Sequence, residues 1–259
     1  MSRASRLVNL AVQVLVICAF LAAWELTARA QLINPFLLPA LSDVLARVGK
    51  DTASGVALVD LSLTLYRALS GFAIAAAIGV PLGILMARVA SIRWFFDPLI
   101  SAGFPMPKIA FLPIFMLWFG LFDTSKIIMV AFSSIFPVVA AAYAGTQGVD
   151  KWPLWSARAL GAKERELLWE VVLPMAMPQI LTGLQIALPV ALITTIVTEM
   201  LMSGTGIGGT MINAGRFADS VGVFAGIVEI AVIGILVVRG VEFLRRRLLA
   251  WHAETRLEA

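Results

Sequence analysis

The sequence predicts an all-α membrane protein with six transmembrane helices. Hydrophobic residues make up 60% of the 259 residues and charged residues 14%, whereas a soluble domain has about 45–50% apolar and about 25% charged residues. Six segments are apolar over the roughly 20 residues that a helix needs to cross the hydrocarbon layer. Basic residues cluster beside these segments, as topology signals do, so the net charge of +4 does not indicate nucleic-acid binding. A single transmembrane domain over residues 1–259 is expected.

The six predicted spans are placed at about residues 7–28, 64–87, 97–119, 125–147, 177–201 and 221–243. The first follows a short basic N-terminus, and Ala28-Arg29-Ala30 resembles the cleavage site of a secretory signal. Its apolar run is longer than that of a typical signal, and further spans follow it. We therefore expect a retained span, with cleavage as the alternative.

Basic residues are unevenly distributed between the segments that connect the spans. Four regions that fall on one side of a six-span bundle hold most of them: Arg3, Arg6, Arg88, Arg93, Lys151, Arg158, Lys163, Arg165, Arg245, Arg246, Arg247 and Arg256. The opposite loops hold fewer, chiefly Arg47, Lys50 and Arg216. Because cytoplasmic loops are the basic ones, both termini and the loop around Gly161 are expected inside the cell.

Prolines and small residues occur within the predicted spans. The prolines are Pro81, Pro105, Pro107, Pro113, Pro137 and Pro189. Each removes a backbone donor, and the resulting breaks are tolerated where protein or water satisfies the freed groups. Small residues recur over 71–79 and 140–145 and allow close helix contacts. Broken helices with such contact faces favour a transporter over a purely structural bundle.

The longest markedly charged stretch runs from Trp155 to Pro174. Its apolar residues recur at helical spacing and its charged residues lie between them, which predicts a surface helix, or two short helices broken near Gly161. Pro174 and Pro178 are expected to restart the chain where it re-enters the membrane. An ordinary interfacial loop is the alternative.

Polar side chains inside the spans are candidates for a translocation path, since a central charge costs about 2.5–3.5 kcal/mol on insertion scales. Lys108 lies in the third span, Glu199 near the outer end of the fifth, and Glu229 deeper in the sixth. Thr194 and Thr198 form a polar ridge on the fifth span. Pairing of Glu199 with a neighbouring donor and bonding of the threonines to their own helix are the alternatives.

Several other classes of protein are disfavoured. Cys18 is the only cysteine and His252 the only histidine, which leaves no internal disulfide and no constellation for an intramembrane enzyme. No Walker-type phosphate loop is present, so the chain does not hydrolyse ATP itself. A secondary transporter would need ion-coupling acidic residues in its spans and no ATPase partner, and the charged loop around Gly161 argues against that class. Tyr66 and Arg67 indicate only packing or interface anchoring.

Over about residues 33–251, the chain resembles the permeases of binding-protein-dependent ATP-binding-cassette (ABC) importers, particularly those for sulfonates, taurine and nitrate. The matching segments are 35–39, 42–44, 70–72, 81–83, 117–120, 126–127, 136–137, 149–150, 173–174, 180–184 and 206–208, with Pro107, Pro113, Gly145, Gly161, Pro178 and Glu199. Their common order and spacing carry the resemblance.

The resemblance implies a type I ABC importer permease fold in a bacterial cytoplasmic (inner) membrane. It implies that two copies of the permease form a homodimer surrounded by lipid. The further partners would be two ATPase subunits that hold ATP and Mg²⁺, and an external substrate-binding protein. No cofactor in this chain and no nucleic-acid partner are expected. The solute would be a sulfonate, taurine, nitrate or a related small molecule, and a heterocyclic vitamin precursor is the alternative.

The same resemblance assigns residues 150–175 as a cytoplasmic coupling segment that contacts the ATPase. Its expected contact residues are Trp155, Ser156, Ala157, Gly161, Lys163, Arg165, Leu173 and Pro174. The candidate path residues are Lys108, Gln185, Thr194, Thr198, Glu199 and Glu229. The chain departs from the family where Trp155 and Ser156 replace an acid and an alanine, where Gln185 replaces a frequent arginine, and where Glu229 replaces an apolar residue.

Overall fold

The computed structural model describes residues 3–202 and 204–249, without the side chains of 3–7 and 10, so His252 and Arg256 lie outside it. Over this part of the chain every regular element is helical. The helices are α1 (Arg3–Arg29), α2 (Leu41–Ala53), α3 (Val56–Arg88), α4 (Ala90–Gly103), α5 (Leu112–Phe119), α6 (Asp123–Gln147), α7 (Lys151–Ala159), α8 (Glu164–Glu166), α9 (Leu173–Met202), α10 (Ile207–Arg216) and α11 (Ser220–Leu248). A 3₁₀ turn, Lys108–Phe111, precedes α5, and a π-helix, Leu167–Val172, joins α8 to α9.

The prediction of an all-α fold is confirmed, and the helices account for six spans when the bent pair of α4 and α5 is counted as one. Five helical stretches are long and apolar enough to cross a membrane: most of α1, all of α3, α6 and α11, and the continuous stretch from α8 to α9. The sixth span is the bent pair of α4 and α5, whose axes differ by 100°. The sequence did not predict α2 or α10, which lie between spans.

The core of the bundle is formed by α3, α6 and α9, which pack against one another along their lengths. Glycines make the close approach possible, as the small-residue segments predicted. A Cβ on Gly71 would lie 2.6 Å from the Cβ of Val130, and one on Gly83 would lie 2.6 Å from the Val139 carbonyl oxygen. Helices α3 and α6 therefore contact almost backbone to backbone.

Most of the intramembrane prolines do not break their helices, contrary to the sequence-based expectation. Pro81, Pro137 and Pro189 lie inside the continuous helices α3, α6 and α9. One lost hydrogen bond is tolerated where neighbouring turns and helices support the backbone. Only the third span is interrupted, at the segment that holds Pro105 and Pro107.

The expected restart at Pro174 and Pro178 is also wrong. The chain runs from Glu164 to Met202 as one helical span. The π-helix Leu167–Val172 ends two residues before Pro174. A π-helical turn is wider than an α-helical turn and lets a helix continue past an irregular position such as a proline. The second half of the coupling segment is therefore a rigid extension of the fifth span.

The first span lies outside this core and is attached to it through α2. The indole N–H of Trp24 donates to the Pro39 carbonyl over 2.9 Å. Helix α2 packs on α11, where Arg47 forms an ion pair of 2.9 Å with Asp219. The pKa of Asp219 lies below its ordinary value, chiefly because the Gly222 N–H donates a hydrogen bond to the carboxylate and also because Arg47 pairs with it.

Candidate functional site

The coupling segment begins with α7, which ends in a tight left-handed turn at Gly161. Gly161 has φ +91°. Its N–H donates to the Arg158 carbonyl over 2.9 Å, and the Ala162 N–H donates to the Ala157 carbonyl over 3.1 Å. This pair of hydrogen bonds is a Schellman motif, which favours glycine at the left-handed position. The predicted break near Gly161 is confirmed, but only the helix before it is short, because the helix after it continues into the fifth span.

After the turn, Glu164 connects the segment to the bundle. Its carboxylate accepts from Arg158 of α7 over 2.8 Å and from Arg88, the last residue of α3, over 2.7 Å. The Glu166 carboxylate accepts from the Lys163 N–H over 2.7 Å and so satisfies a free donor at the start of α8. Leu167 and Val172 are fully buried beneath. The turn is therefore fixed both to α7 and to the core.

The coupling segment also exposes large apolar side chains. Leu160, beside the turn, is 89% exposed, and the rings of Trp152 and Trp155 contact edge to face with centroids 5.3 Å apart. Trp169 is also exposed. Of the other predicted coupling residues, Ser156, Lys163, Arg165 and Pro174 are exposed, and Ala157 and Leu173 are half-buried. Aromatic anchors of this kind are typical of protein–protein interfaces.

The far end of the core holds a buried ion-pair network centred on Arg67. Its guanidinium contacts Asp123 of α6 over 2.7 Å, Glu199 of α9 over 2.6 Å, and both the carbonyl and the hydroxyl oxygen of Thr205 over 2.7 and 2.8 Å. The Arg67 side chain is 2% exposed and that of Glu199 is fully buried. Sequence analysis assigned no such role to Arg67.

Glu199 is satisfied by several donors besides Arg67. The Thr64 hydroxyl and the Gly208 N–H donate to one carboxylate oxygen over 2.9 and 3.1 Å. Gly206, at φ +101°, passes so close to this carboxylate that a Cβ there would overlap it. The turn between α9 and α10 thus closes over Glu199, which corresponds to the pairing alternative considered from the sequence.

Three other candidate path residues lie on α9. Thr198 is fully buried and its hydroxyl donates to the Thr195 carbonyl over 2.8 Å. Thr194 is buried one turn earlier. Gln185 is half-buried and accepts from Arg245 of α11 over 3.3 Å. A cation from another span therefore reaches the position at which the family often carries arginine.

Glu229 faces a groove of about 180 Å³ between α2, α3 and α11. Most of its lining is apolar, as at Leu61 and Ile233, and Thr52 adds a hydroxyl. Glu229 is half-buried, and within residues 3–202 and 204–249 no hydrogen bond or ion pair reaches its carboxylate. The side chain faces a contact between helices rather than projecting fully outward.

Lys108 lies at the break of the third span. Its ammonium donates to the Phe104 carbonyl over 2.8 Å and lies 5.1 Å from the ring centroid of Phe136. The six candidate path residues are therefore not brought together into one pocket of this subunit. They lie at separate places on α9, on α11 and at the break between α4 and α5.

Comparisons with known proteins decide the family. Residues 79–250 match the family model described as "Binding-protein-dependent transport system inner membrane component". The chain belongs to this family. It is 36% identical over 256 residues to the taurine transport system permease protein TauC of Escherichia coli (strain K12), covering 96% of this chain and 92% of TauC. It is 32% identical to SsuC of Bacillus subtilis (strain 168), a permease named for aliphatic sulfonates, covering 90% and 84%.

The fold of this permease agrees with that assignment. A crystal structure of an amino acid ABC transporter with histidines matches with a TM-score of 0.60 at 19% identity, covering 77% of this chain and 95% of that one. The chain is thus a multi-pass inner-membrane permease subunit of an ABC importer, and ATP hydrolysis belongs to a separate subunit. In the part of the permease that the structure describes, no group of three or more His, Cys, Asp or Glu residues could hold a metal ion.

Proposed function

We propose that the permease imports a sulfonate such as taurine, as one half of a homodimer in which each coupling segment docks on an ATPase subunit. The observation that carries the docking part of this proposal is the hydrogen-bonded turn at Gly161, with Leu160 and Trp155 exposed beside it. An external binding protein delivers the solute, and ATP with Mg²⁺ is bound by the ATPases. Trp155 occupies the docking surface at the position where the family carries an acid, and it contributes apolar area there instead of charge.

The packing supports movement of the core as one body. Closure of the ATPases displaces the turn at Gly161, and Glu164 carries that displacement to Arg88 at the end of α3. Close contacts among α3, α6 and α9 transmit it along the bundle. The Arg67 network holds the same three helices together at the far end. Rocking of two such bodies against each other provides alternating access to a path between the subunits.

The substrate class is supported by the relatives named for taurine and for aliphatic sulfonates. We expect the permease, purified with its ATPase and reconstituted in liposomes, to take up labelled taurine from a loaded binding protein only when ATP is supplied to the ATPase. An aliphatic sulfonate should compete, and a pyrimidine vitamin precursor should not. If only the pyrimidine competed, the substrate would be a heterocyclic vitamin precursor and not a sulfonate.

We also propose that the coupling segment and both termini are cytoplasmic. Single cysteines at Lys163 and Arg165, which are exposed, introduced with Cys18→Ser, should react with a membrane-impermeant maleimide only after spheroplasts are opened. Arg216→Cys, at the opposite end of the bundle, is the matched control and should react in intact spheroplasts. The reverse pattern would invert the orientation and remove the coupling segment from the ATPase.

A further inference from the structure

The break in the third span places irregular backbone inside the membrane. Helix α4 ends at Gly103, the next helical turn starts at Lys108, and the two parts of the span meet at 100°. Phe104, Pro105 and Pro107 are exposed on the surface of the single subunit. Non-helical backbone at membrane depth is tolerated only against protein or beside water. This surface therefore belongs to the partner subunit or to a water-filled path rather than to lipid.

Lys108 brings a charge to this break at about the middle of the bundle. Its ammonium lies 5.1 Å from the centroid of the Phe136 ring. Phe136 is halfway along α6, which runs over Asp123–Gln147. The Phe104 ring lies 5.8 Å from the same ammonium. Both rings attract the cation through their faces, but neither supplies a negative charge.

The Lys108 ammonium differs in this respect from the buried cations on α3 and α6. Arg67 contacts Glu199 and Asp123, and Lys126 lies 4.0 Å from Asp123. No acidic side chain of residues 3–202 and 204–249 forms an ion pair with Lys108. A lysine ammonium has three donors, and the Phe104 carbonyl accepts from one of them. Two donors remain for a group that enters the break.

We propose that Lys108 binds the oxyanion group of the transported solute, its sulfonate, as the solute passes the broken third span. This inference rests on the proposed import of sulfonates and identifies the residue that recognises their charge. Charge-assisted hydrogen bonds to an oxyanion are short and strong, and they give the intramembrane charge a function. A groove of about 280 Å³ beside Phe104, lined also by Asp97, Ser101 and Tyr143, accommodates the remainder of a small solute, and the Asp97 carboxylate is available there to the ammonium of taurine.

The test restores the charge chemically. In the reconstituted complex with Cys18→Ser, Lys108→Cys should lower taurine uptake about tenfold or more, the fold-change for one lost charge-assisted hydrogen bond. Modification with aminoethyl methanethiosulfonate, which returns an ammonium, should restore most of the uptake. The sulfonatoethyl reagent, which adds an anion, should not. The Cys18→Ser complex is the control for both reagents, because it lacks the exposed thiol of Cys18.

Stimulation of ATP hydrolysis by the loaded binding protein should persist in the Lys108→Cys complex, which shows that it is assembled. Normal uptake by Lys108→Cys, or equal restoration by the two reagents, would overturn the assignment while the import function stands. Loss of stimulation that the aminoethyl reagent does not restore would assign Lys108 to packing instead. Failure of the unsubstituted complex to import taurine would overturn the proposed substrate and this assignment with it.

Discussion

Replacing Arg67 with methionine is expected to lower the free energy of unfolding by about 3–5 kcal/mol, the cost of breaking a buried ion pair. The substitution leaves the fully buried Glu199 without its cation and frees Thr205 in the turn between α9 and α10. Lysine should not rescue it, because a single ammonium cannot reach Asp123, Glu199 and Thr205 in the geometry of the guanidinium fork.

The measurement is unfolding of the purified permease in detergent micelles, with Arg216→Met as the matched control. Arg216 is exposed at the end of α10, so the control should change the free energy by less than about 0.5 kcal/mol. Equal stability of the Arg67 and Arg216 variants would show that the buried network does not hold the far end of the core together.

Gly161→Val should leave the permease inserted and folded but abolish its coupling to ATP hydrolysis. A left-handed conformation costs an L-residue about 1–2 kcal/mol, and a β-branched side chain is a genuine outlier there. No atom lies within 4 Å of a Cβ built at Gly161, so the effect arises from the backbone alone. The Schellman turn should open and displace Leu160 from its docking position.

The control for this prediction is Gly161→Asn, since asparagine adopts the left-handed conformation more readily than most other non-glycine residues. The asparagine variant should keep most of the stimulation of ATP hydrolysis by the loaded binding protein, whereas the valine variant should lose about tenfold or more. Equal activity of the two variants would show that the conformation at Gly161 is incidental to coupling.

The parts of the structure that depend on local pattern were predictable from sequence. The apolar segments located the spans, and Gly161 located the break between α7 and α8. The prolines misled because their effect depends on the surroundings: Pro137 lies within an intact α6 that packs on both α3 and α9, whereas Pro105 and Pro107 lie two residues apart in the non-helical break of the third span. Counting the backbone N–H donors that the prolines remove does not predict which helix stays intact.

The ion-pair network was not predictable from local pattern, because its members are far apart in sequence. Arg67 and Glu199 are 132 residues apart, and no periodicity connects them. Their opposite charges, each at a similar distance from the same end of an apolar span, were the available signal. Glu164 was visible as a charged surface residue, but its contact with Arg88 depends on how α3 ends beneath the coupling segment.

The most direct test of coupling through the Gly161 turn is photo-crosslinking from its most exposed side chain. Leu160 is 89% exposed beside Gly161, and Phe217, 84% exposed at the end of α10, marks the opposite end of the bundle. A benzophenone amino acid at position 160 should crosslink to the ATPase subunit in the intact complex, and one at position 217 should not. Absence of an ATPase crosslink from position 160 in an assembled, ATP-hydrolysing complex would contradict docking at the Gly161 turn.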